Sequence, residues 1–199
     1  MKKQLSTPRK NRTKEHFQLA LIDLIKEKGF SAVTVKDIVQ YSRYNRSTFY
    51  IHYHDIFYLA EDLLHTKLQG LEEAVGNPYQ SEKNINTANL NAGSFDIITY
   101  IYQNRNFFEL INYQDTIPGI HIQFPQKIFR IYKERFQFKT INNIPVDMDY
   151  FTRYTAYGFY SLLTNWINTN FKAPREEFIK EVIKLSRTHI ESVTYIGNQ

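Results

Sequence analysis

The sequence predicts an all-α protein of about nine helices. Apolar residues recur at helical spacing along almost the whole chain, no stretch shows convincing period-two alternation, and no internal repeat is visible. Residues 1–10, with Lys2, Lys3, Pro8, Arg9 and Lys10 and no apolar periodicity, read as a flexible basic arm. From Arg12 to Lys28, Phe17, Ala20, Leu21, Leu24 and Ile25 fall at helical spacing, and Gly29 stands where a helix commonly stops. Thr34, an N-cap type of residue, precedes Val35, Ile38 and Val39, and a second short helix covers about Arg46 to His52. Asp55 is placed to cap a longer helix through Phe57, Leu59, Leu63, Leu64, Leu68 and Leu71, which ends at Gly76-Asn77-Pro78.

The polar, Asn-rich stretch from Asn77 to Gly93 reads as a loop between two halves. Ser94 opens a helical pattern through Ile98, Ile101 and Tyr102 that continues over Phe107, Phe108 and Ile111 until Pro118-Gly119 breaks it. A further helix carries Ile120, Phe124, Ile128, Ile131 and Phe136, and Ile141 to Val146, with Pro145, connects it to the next. Asp147 or Asp149 would cap a helix through Tyr154, Leu162 and Trp166. Pro174 with Glu176 and Glu177 makes a favourable first turn for a last helix to about Tyr195.

At 199 residues the chain holds one domain or two small ones, and a hydrophobic fraction of 42% with 23% charged residues excludes disordered, collagenous and coiled-coil-only classes. No run approaches the roughly 20 apolar residues of a membrane-spanning helix and the first residues are polar, so the expected compartment is the cytoplasm, with no membrane partner. Without cysteine there is no disulfide, thiolate nucleophile or Cys-ligated metal. Residues 1–55 carry 11 Lys and Arg against 5 Asp and Glu, a net of +6, whereas residues 56–199 carry 14 against 15, a net of −1. A basic head on a near-neutral body suits a nucleic-acid-binding module, and a solvated basic tail is the plainer alternative.

A long helix followed by two short ones about a tight turn at Ser42-Arg43-Tyr44 is the layout of a helix-turn-helix, whose second helix enters the major groove. Asn45, Arg46, Ser47, Thr48 and Tyr50 crowd donors and acceptors at its start and outer side, while Phe49 and Tyr53, four apart, turn inward. Gly29-Phe30, Thr34-Val35, Ile38-Val39 and the run from Asn45 to Tyr53, with Asp55 and Leu59 beyond, resemble the TetR family of bacterial one-component transcriptional regulators over about 50 residues. Asn104-Arg105 before Phe107-Phe108, and the late Trp166, resemble the C-terminal region of a Firmicutes-type branch.

The resemblance implies two domains. Residues 1–55 form a three-helix helix-turn-helix DNA-binding domain that includes the arm, and residues 56–199 form a helical ligand-binding and dimerisation domain. It implies a homodimeric repressor of palindromic operators in double-stranded DNA, released by a small-molecule effector. The alternative is a coactivator that works through a protein partner and binds DNA weakly. The DNA-contacting set carried over is Thr34, Lys36, Tyr44, Asn45, Arg46, Ser47, Thr48, Tyr50, His52 and His54, with Thr34 and Asn45 as caps and Arg46 first for base readout because its fork pairs with guanine. Two positions depart from the family pattern. Arg43 stands where a turn glycine is usual, so it takes a left-handed backbone at about 1–2 kcal/mol or the turn is of another kind. Ile56 stands where many members place a phosphate-contacting lysine, and the substitutes at hand are His54 and the arm with Arg9, Lys10, Arg12 and Lys14.

Between Phe95 and Phe171 lie 19 aromatic residues in 77, enough either to pack a core or to wall a ligand cavity. The ligand-lining candidates are Phe107, Phe108, Phe129, Tyr132, Tyr154 and Trp166. Leu162, Trp166, Phe178, Val182, Leu185 and Ile190 form apolar stripes that serve either internal packing or, by the resemblance, a dimer face. None of the six histidines makes an i, i+4 pair, and no nucleophile elbow or phosphate loop is present. No metal, cofactor or enzymatic activity is therefore expected.

Overall fold

Helix starts in the first half of the chain are set by capping side chains, and the computed structural model, which describes residues 8–76 and 82–197, shows the local bonds that make them. The Thr34 side chain accepts from the Asp37 N–H and the Asp37 carboxylate accepts from the Thr34 N–H, a capping box that opens α2 (Val35–Ser42). Asn45 accepts from the Thr48 N–H to open α3 (Arg46–His52), and Asp55 accepts from the Tyr58 N–H at the start of the helix Ile56–Gly76. The first helix, α1, runs Pro8–Lys28 and so begins within the stretch read as an arm, whose first seven residues lie outside those described. The helix Ile56–Gly76 is α4.

The chain divides into two compact units, the first holding the residues up to Lys67 together with Leu110–Ile120, the second Leu68–Glu109 and the residues from His121 on. In the first unit the fully buried Phe17 of α1 is the hub. Its ring meets Phe49 at 5.4 Å, Tyr44 at 5.2 Å and Tyr53 at 6.3 Å, all edge-on, and Leu21, Ile25, Ile38, Leu59 and Leu63 are fully buried in the same unit. Asp62 of α4 accepts from the Tyr53 hydroxyl at 2.8 Å, from Gln18 at 3.3 Å and from Lys14 at 3.3 Å, which ties α1 and the end of α3 to α4. Burial, and then the bond to Asp62, push the Tyr53 phenol far up, so it stays a donor. Gly29, at φ 80°, ends α1, and a Cβ there would collide with the carboxylate of Asp115. That carboxylate accepts from the Ser31 N–H at 3.1 Å and the Ser31 hydroxyl at 2.5 Å, while the Asp115 carbonyl accepts from the Phe30 N–H.

The second unit holds α5 (Asp96–Gln103), α6 (Arg105–Phe108), α7 (Ile120–Arg135), α8 (Met148–Asn168) and α9 (Arg175–Ser186), completing nine α-helices among the described residues. The single helix expected from Ser94 to Ile111 is broken at Asn104, which leaves helical geometry at φ −105°, ψ 25° while its side chain and N–H both donate to the Tyr100 carbonyl. Trp166 is buried, stacked on Phe178 at 4.4 Å with its indole N–H donating to the Ala173 carbonyl, which pins α8 to α9. Glu72 is half-buried between Lys127 and Arg135. Burial raises its pKa, but the two cations outweigh that and hold it below the carboxylate range.

This unit also carries a three-stranded antiparallel sheet in the order β1 (Asn84–Asn86), β3 (Ile190–Tyr195), β2 (Phe136–Thr140), where the sequence showed no alternation. The last helix therefore stops at Ser186 and not near Tyr195, and the Asn-rich stretch contains a strand. Val193 pairs with both Ile85 and Phe138, which satisfies both edges of the central strand, and the burial along that strand does not alternate. No helix among the described residues is long and apolar enough to cross a membrane.

Candidate nucleic-acid interface

The turn between α2 and α3 takes the left-handed alternative: Arg43 adopts φ 59°, ψ 34°, and the following Tyr44 N–H returns to the Val39 carbonyl at 3.0 Å. An L-residue there costs about 1–2 kcal/mol, set against the anchoring of Tyr44. The Tyr44 ring packs on Phe17 and its hydroxyl lies 3.0 Å from His16 Nδ1, so Tyr44 is half-buried and ties the turn between the two short helices to α1.

With Phe49 buried as the inner knob of α3, Arg46, Ser47, Tyr50 and Ile51 share the outer face. Tyr50 is 55% exposed and Ile51 71%. The Asn45 Oδ1 accepts from the Thr48 N–H and hydroxyl, both at 2.8 Å, and from the Ser47 hydroxyl at 2.7 Å. Those hydroxyl protons are thus held at the helix start, leaving oxygen lone pairs outward. Thr48 and His52, four apart, lie half-buried on the flank, with the His52 ring against Phe17 and Tyr53. His54 is exposed beyond the helix, its ring 5.7 Å from Tyr58. Lys36 is exposed in the first turn of α2, where the Thr34 hydroxyl donates to Asp37 at 2.6 Å. The Lys28 ammonium at 2.8 Å and the Thr34 donors hold the Asp37 carboxyl at about 2, so the capping box stays closed through the physiological range. The structure therefore brings Arg46, Ser47 and Tyr50 together on one exposed face, with Asn45 at its head, and sets Thr34, Tyr44, Thr48 and His52 as supports at its edges.

In the second unit the aromatic candidates separate. Phe107, Phe108 and Trp166 are buried in the packed interior, and Phe129 stacks on Tyr157 with the Arg153 guanidinium 4.5 Å above it. Tyr132 and Tyr154 line a cavity of about 250 Å³ between α8 and the end of α9. Of the stripe residues, Trp166, Val182 and Ile190 are buried within the unit, Leu162 and Phe178 are half-buried and Leu185 is exposed.

Residues 88–188 match the family model described as transcriptional regulator C-terminal region, and residues 20–56 match that of bacterial regulatory proteins, tetR family. The chain belongs to the TetR family of transcriptional regulators. Residues 20–56 carry the helix-turn-helix of a TetR-family DNA-binding protein, and a helical C-terminal domain accompanies it. The HTH-type transcriptional regulator YxbF of Bacillus subtilis is 22% identical over 175 residues, 83% of this chain, and the chain spans 42% of the length of that relative. Among solved structures, a TetR-family regulator from Syntrophomonas wolfei shares the fold with a TM-score of 0.66 at 17% identity, covering 89% of this chain and 94% of that one. A TetR regulator from Streptococcus agalactiae gives 0.57 at 20%, with 89% and 94% covered, and the dihydroxyacetone kinase operon activator DhaS gives 0.61 at 16%, with 88% and 94% covered.

Sequence reasoning missed three features of this TetR-family interface. Ile51 is the most exposed large apolar side chain of α3, and its place one turn beyond Ser47 was the available signal. His16, which holds the Tyr44 hydroxyl, gave none, because the contact spans 28 residues. Tyr41 is exposed on α2 with its hydroxyl donating to Asp23 at 2.9 Å, a bond that raises its pKa.

Proposed function

We propose that the protein is a homodimeric repressor that places α3 of each subunit in successive major grooves of a palindromic operator and is released by a small-molecule effector. The observation that carries the reading is the exposed face of α3, where Arg46, Ser47 and Tyr50 stand together at a capped helix start on the part of the chain that holds the excess positive charge. The Arg46 guanidinium offers two parallel N–H groups to guanine O6 and N7, and Ile51 offers an apolar contact to a thymine methyl. Lys36, Thr34, Thr48, Tyr50, His52 and His54 would meet backbone phosphates on either side, which fixes register without reading sequence. Half-buried Ile56 supplies no cation at this position of the family pattern, and His54 and the arm with Arg9, Lys10, Arg12 and Lys14 are the substitutes at hand.

A twofold dimer matches an operator whose half-sites lie about 34–36 Å apart. An effector that binds better to a dimer with another head spacing draws the population from the operator in proportion to that difference in affinity. The compartment of such a protein is the cytoplasm, where its operator lies.

Enrichment of a randomised duplex library on the full-length protein, followed by anisotropy titrations of the selected sequence at several salt concentrations, tests the reading. The expected outcome is a palindromic sequence whose affinity falls steeply with salt, since each neutralised phosphate releases counterions. Weak, sequence-indifferent binding overturns it and favours the coactivator acting through a protein partner. The fold shared with an operon activator makes the sign of regulation a separate measurement. Repression predicts that a reporter under the selected operator rises when the protein is removed.

A further inference from the structure

The cavity between α8 and the end of α9 is walled by the rings of Tyr132 and Phe159 and by Leu162, Val182 and Leu185. No Asp, Glu, Lys or Arg side chain lines it among the described residues, so a charged guest would enter without compensation. Two polar side chains at its wall are incompletely satisfied. Thr155, 9% exposed, and the half-buried His189 each present a water-shielded atom, Oγ1 and Nε2, with no hydrogen-bond partner among the described residues. The other aliphatic hydroxyls at the wall are used, Ser186 donating to the Val182 carbonyl at 2.8 Å and Thr188 to the Leu185 carbonyl at 2.7 Å.

The His189 tautomer follows from its neighbours. Nδ1 lies 3.1 Å from the Leu185 carbonyl, which can only accept, and 3.2 Å from the Thr188 hydroxyl, whose proton goes to that same carbonyl, so Nδ1 carries the proton and Nε2 is left with a lone pair. Burial pushes the imidazole below its ordinary pKa, against the smaller opposing effect of the Leu185 bond, which keeps the ring neutral at pH 7. The Phe151 and Tyr154 rings flank it at 5.8 and 6.1 Å, tilted and edge-on. Two residues of the wall thus hold, just behind its accessible surface, one acceptor and one hydroxyl able to give or take, beside an aromatic and aliphatic enclosure. A second, smaller cavity of about 60 Å³ that shares Tyr132, Phe159 and Ser186 offers no such pair, because the Thr87 hydroxyl on its wall already donates to the Ile190 carbonyl.

We propose that the cavity takes an uncharged, ring-bearing molecule with one hydrogen-bond-donating group, a phenol or an N–H heterocycle in type, donated to His189 Nε2 and supported by Thr155 Oγ1. Its role as effector rests on the regulatory reading above. Seating the guest turns the two shielded atoms toward it and recovers the hydrogen bonds they lack, so affinity is concentrated in the donor and not in the ring alone.

Calorimetric titration of the full-length protein with phenol and indole, against their methylated counterparts anisole and N-methylindole, tests this. The two donors bind about tenfold tighter than the methylated probes, and Thr155→Val or His189→Phe removes about that factor for the donors only. Equal binding of donor and methylated probes to the unmodified protein overturns the proposal, as does binding by none of the four. Leu162, Val182 and Leu185 also belong to the stripe assigned to the dimer, so sedimentation run alongside reads assembly separately from occupancy. Titration of the selected operator with and without indole separates the two readings. Binding that leaves operator affinity unchanged upholds the cavity chemistry and overturns the effector role, whereas absence of any selected operator overturns the regulatory reading and leaves the cavity result standing.

Discussion

The first unit spends its polar groups on fixing a shape, and the second leaves some unspent at a cavity. In the first, Thr34, Asn45 and Asp55 each cap a helix, Asp62 gathers three donors and Asp115 closes the loop after α1. Its one buried orphan among the described residues, the Thr116 hydroxyl, lies in the Leu110–Ile120 segment, away from α3 in sequence. In the second, Thr155 and His189 hold polar atoms without partners among the described residues beside about 250 Å³ of open space. A surface that reads a rigid duplex gains from preorganisation, because side chains already in place lose less entropy on contact, while a body that answers a guest must retain something for the guest to satisfy.

The largest test of this contrast is in packing. Phe49→Ala, which empties the fully buried inner face of α3, is expected to cost about 3–5 kcal/mol in denaturant unfolding. Tyr154→Ala, at a ring 72% exposed, should stay within about 0.5 kcal/mol. Equal losses would erase the distinction. Next in size, Arg46→Ala is expected to weaken operator binding by about 1–3 kcal/mol and relax the base preference at one position. Tyr50→Phe should weaken all sequences alike, and a titration of single-base operator variants separates the two behaviours.

Smaller again is the comparison of a spent and an unspent polar group. Asn45→Ala removes a cap and should cost about 1 kcal/mol of stability, while Thr155→Val removes a hydroxyl with no partner and should be neutral or slightly stabilising. Matching thermal shifts would refute the difference. The smallest effect is in pH. His189 has a folded pKa below its ordinary 6.5, so its contribution to stability is complete above that value and is lost as pH falls through the folded pKa. Asp37 behaves alike in a lower window, complete above 3.8 and lost toward about 2. In urea unfolding across pH, His189→Phe should flatten the upper window and leave the lower one unchanged.

Much of the first unit was legible because its signals are local. A capping residue sits three positions from the N–H it serves, Phe49 and Tyr53 are four apart, and even the left-handed Arg43 was one of two turns the sequence allowed. The sheet was not legible, because β1 is three residues long and both its pairing and that of β2 reach β3 across 50 residues or more. Ile190 and Val193 also fit a helical spacing, and no glycine or proline marks the end of α9, which the Ser186 and Thr188 hydroxyls close by bonding to carbonyls of its last turn. For the same reason the cavity could not be placed. Tyr132 and Tyr154 were named for their chemistry, but Thr155 and His189 matter through what they fail to meet, which no spacing encodes.

The bond between Asp115 and the loop after α1 bears on how such a protein is cut and joined. A chimera that transplants only the residues up to Lys67 onto another body would strand the N–H groups of Phe30 and Ser31 and leave the space beside Gly29 unfilled. The smallest portable reading head is therefore discontinuous, and Leu110–Ile120 must travel with it as a separate insert.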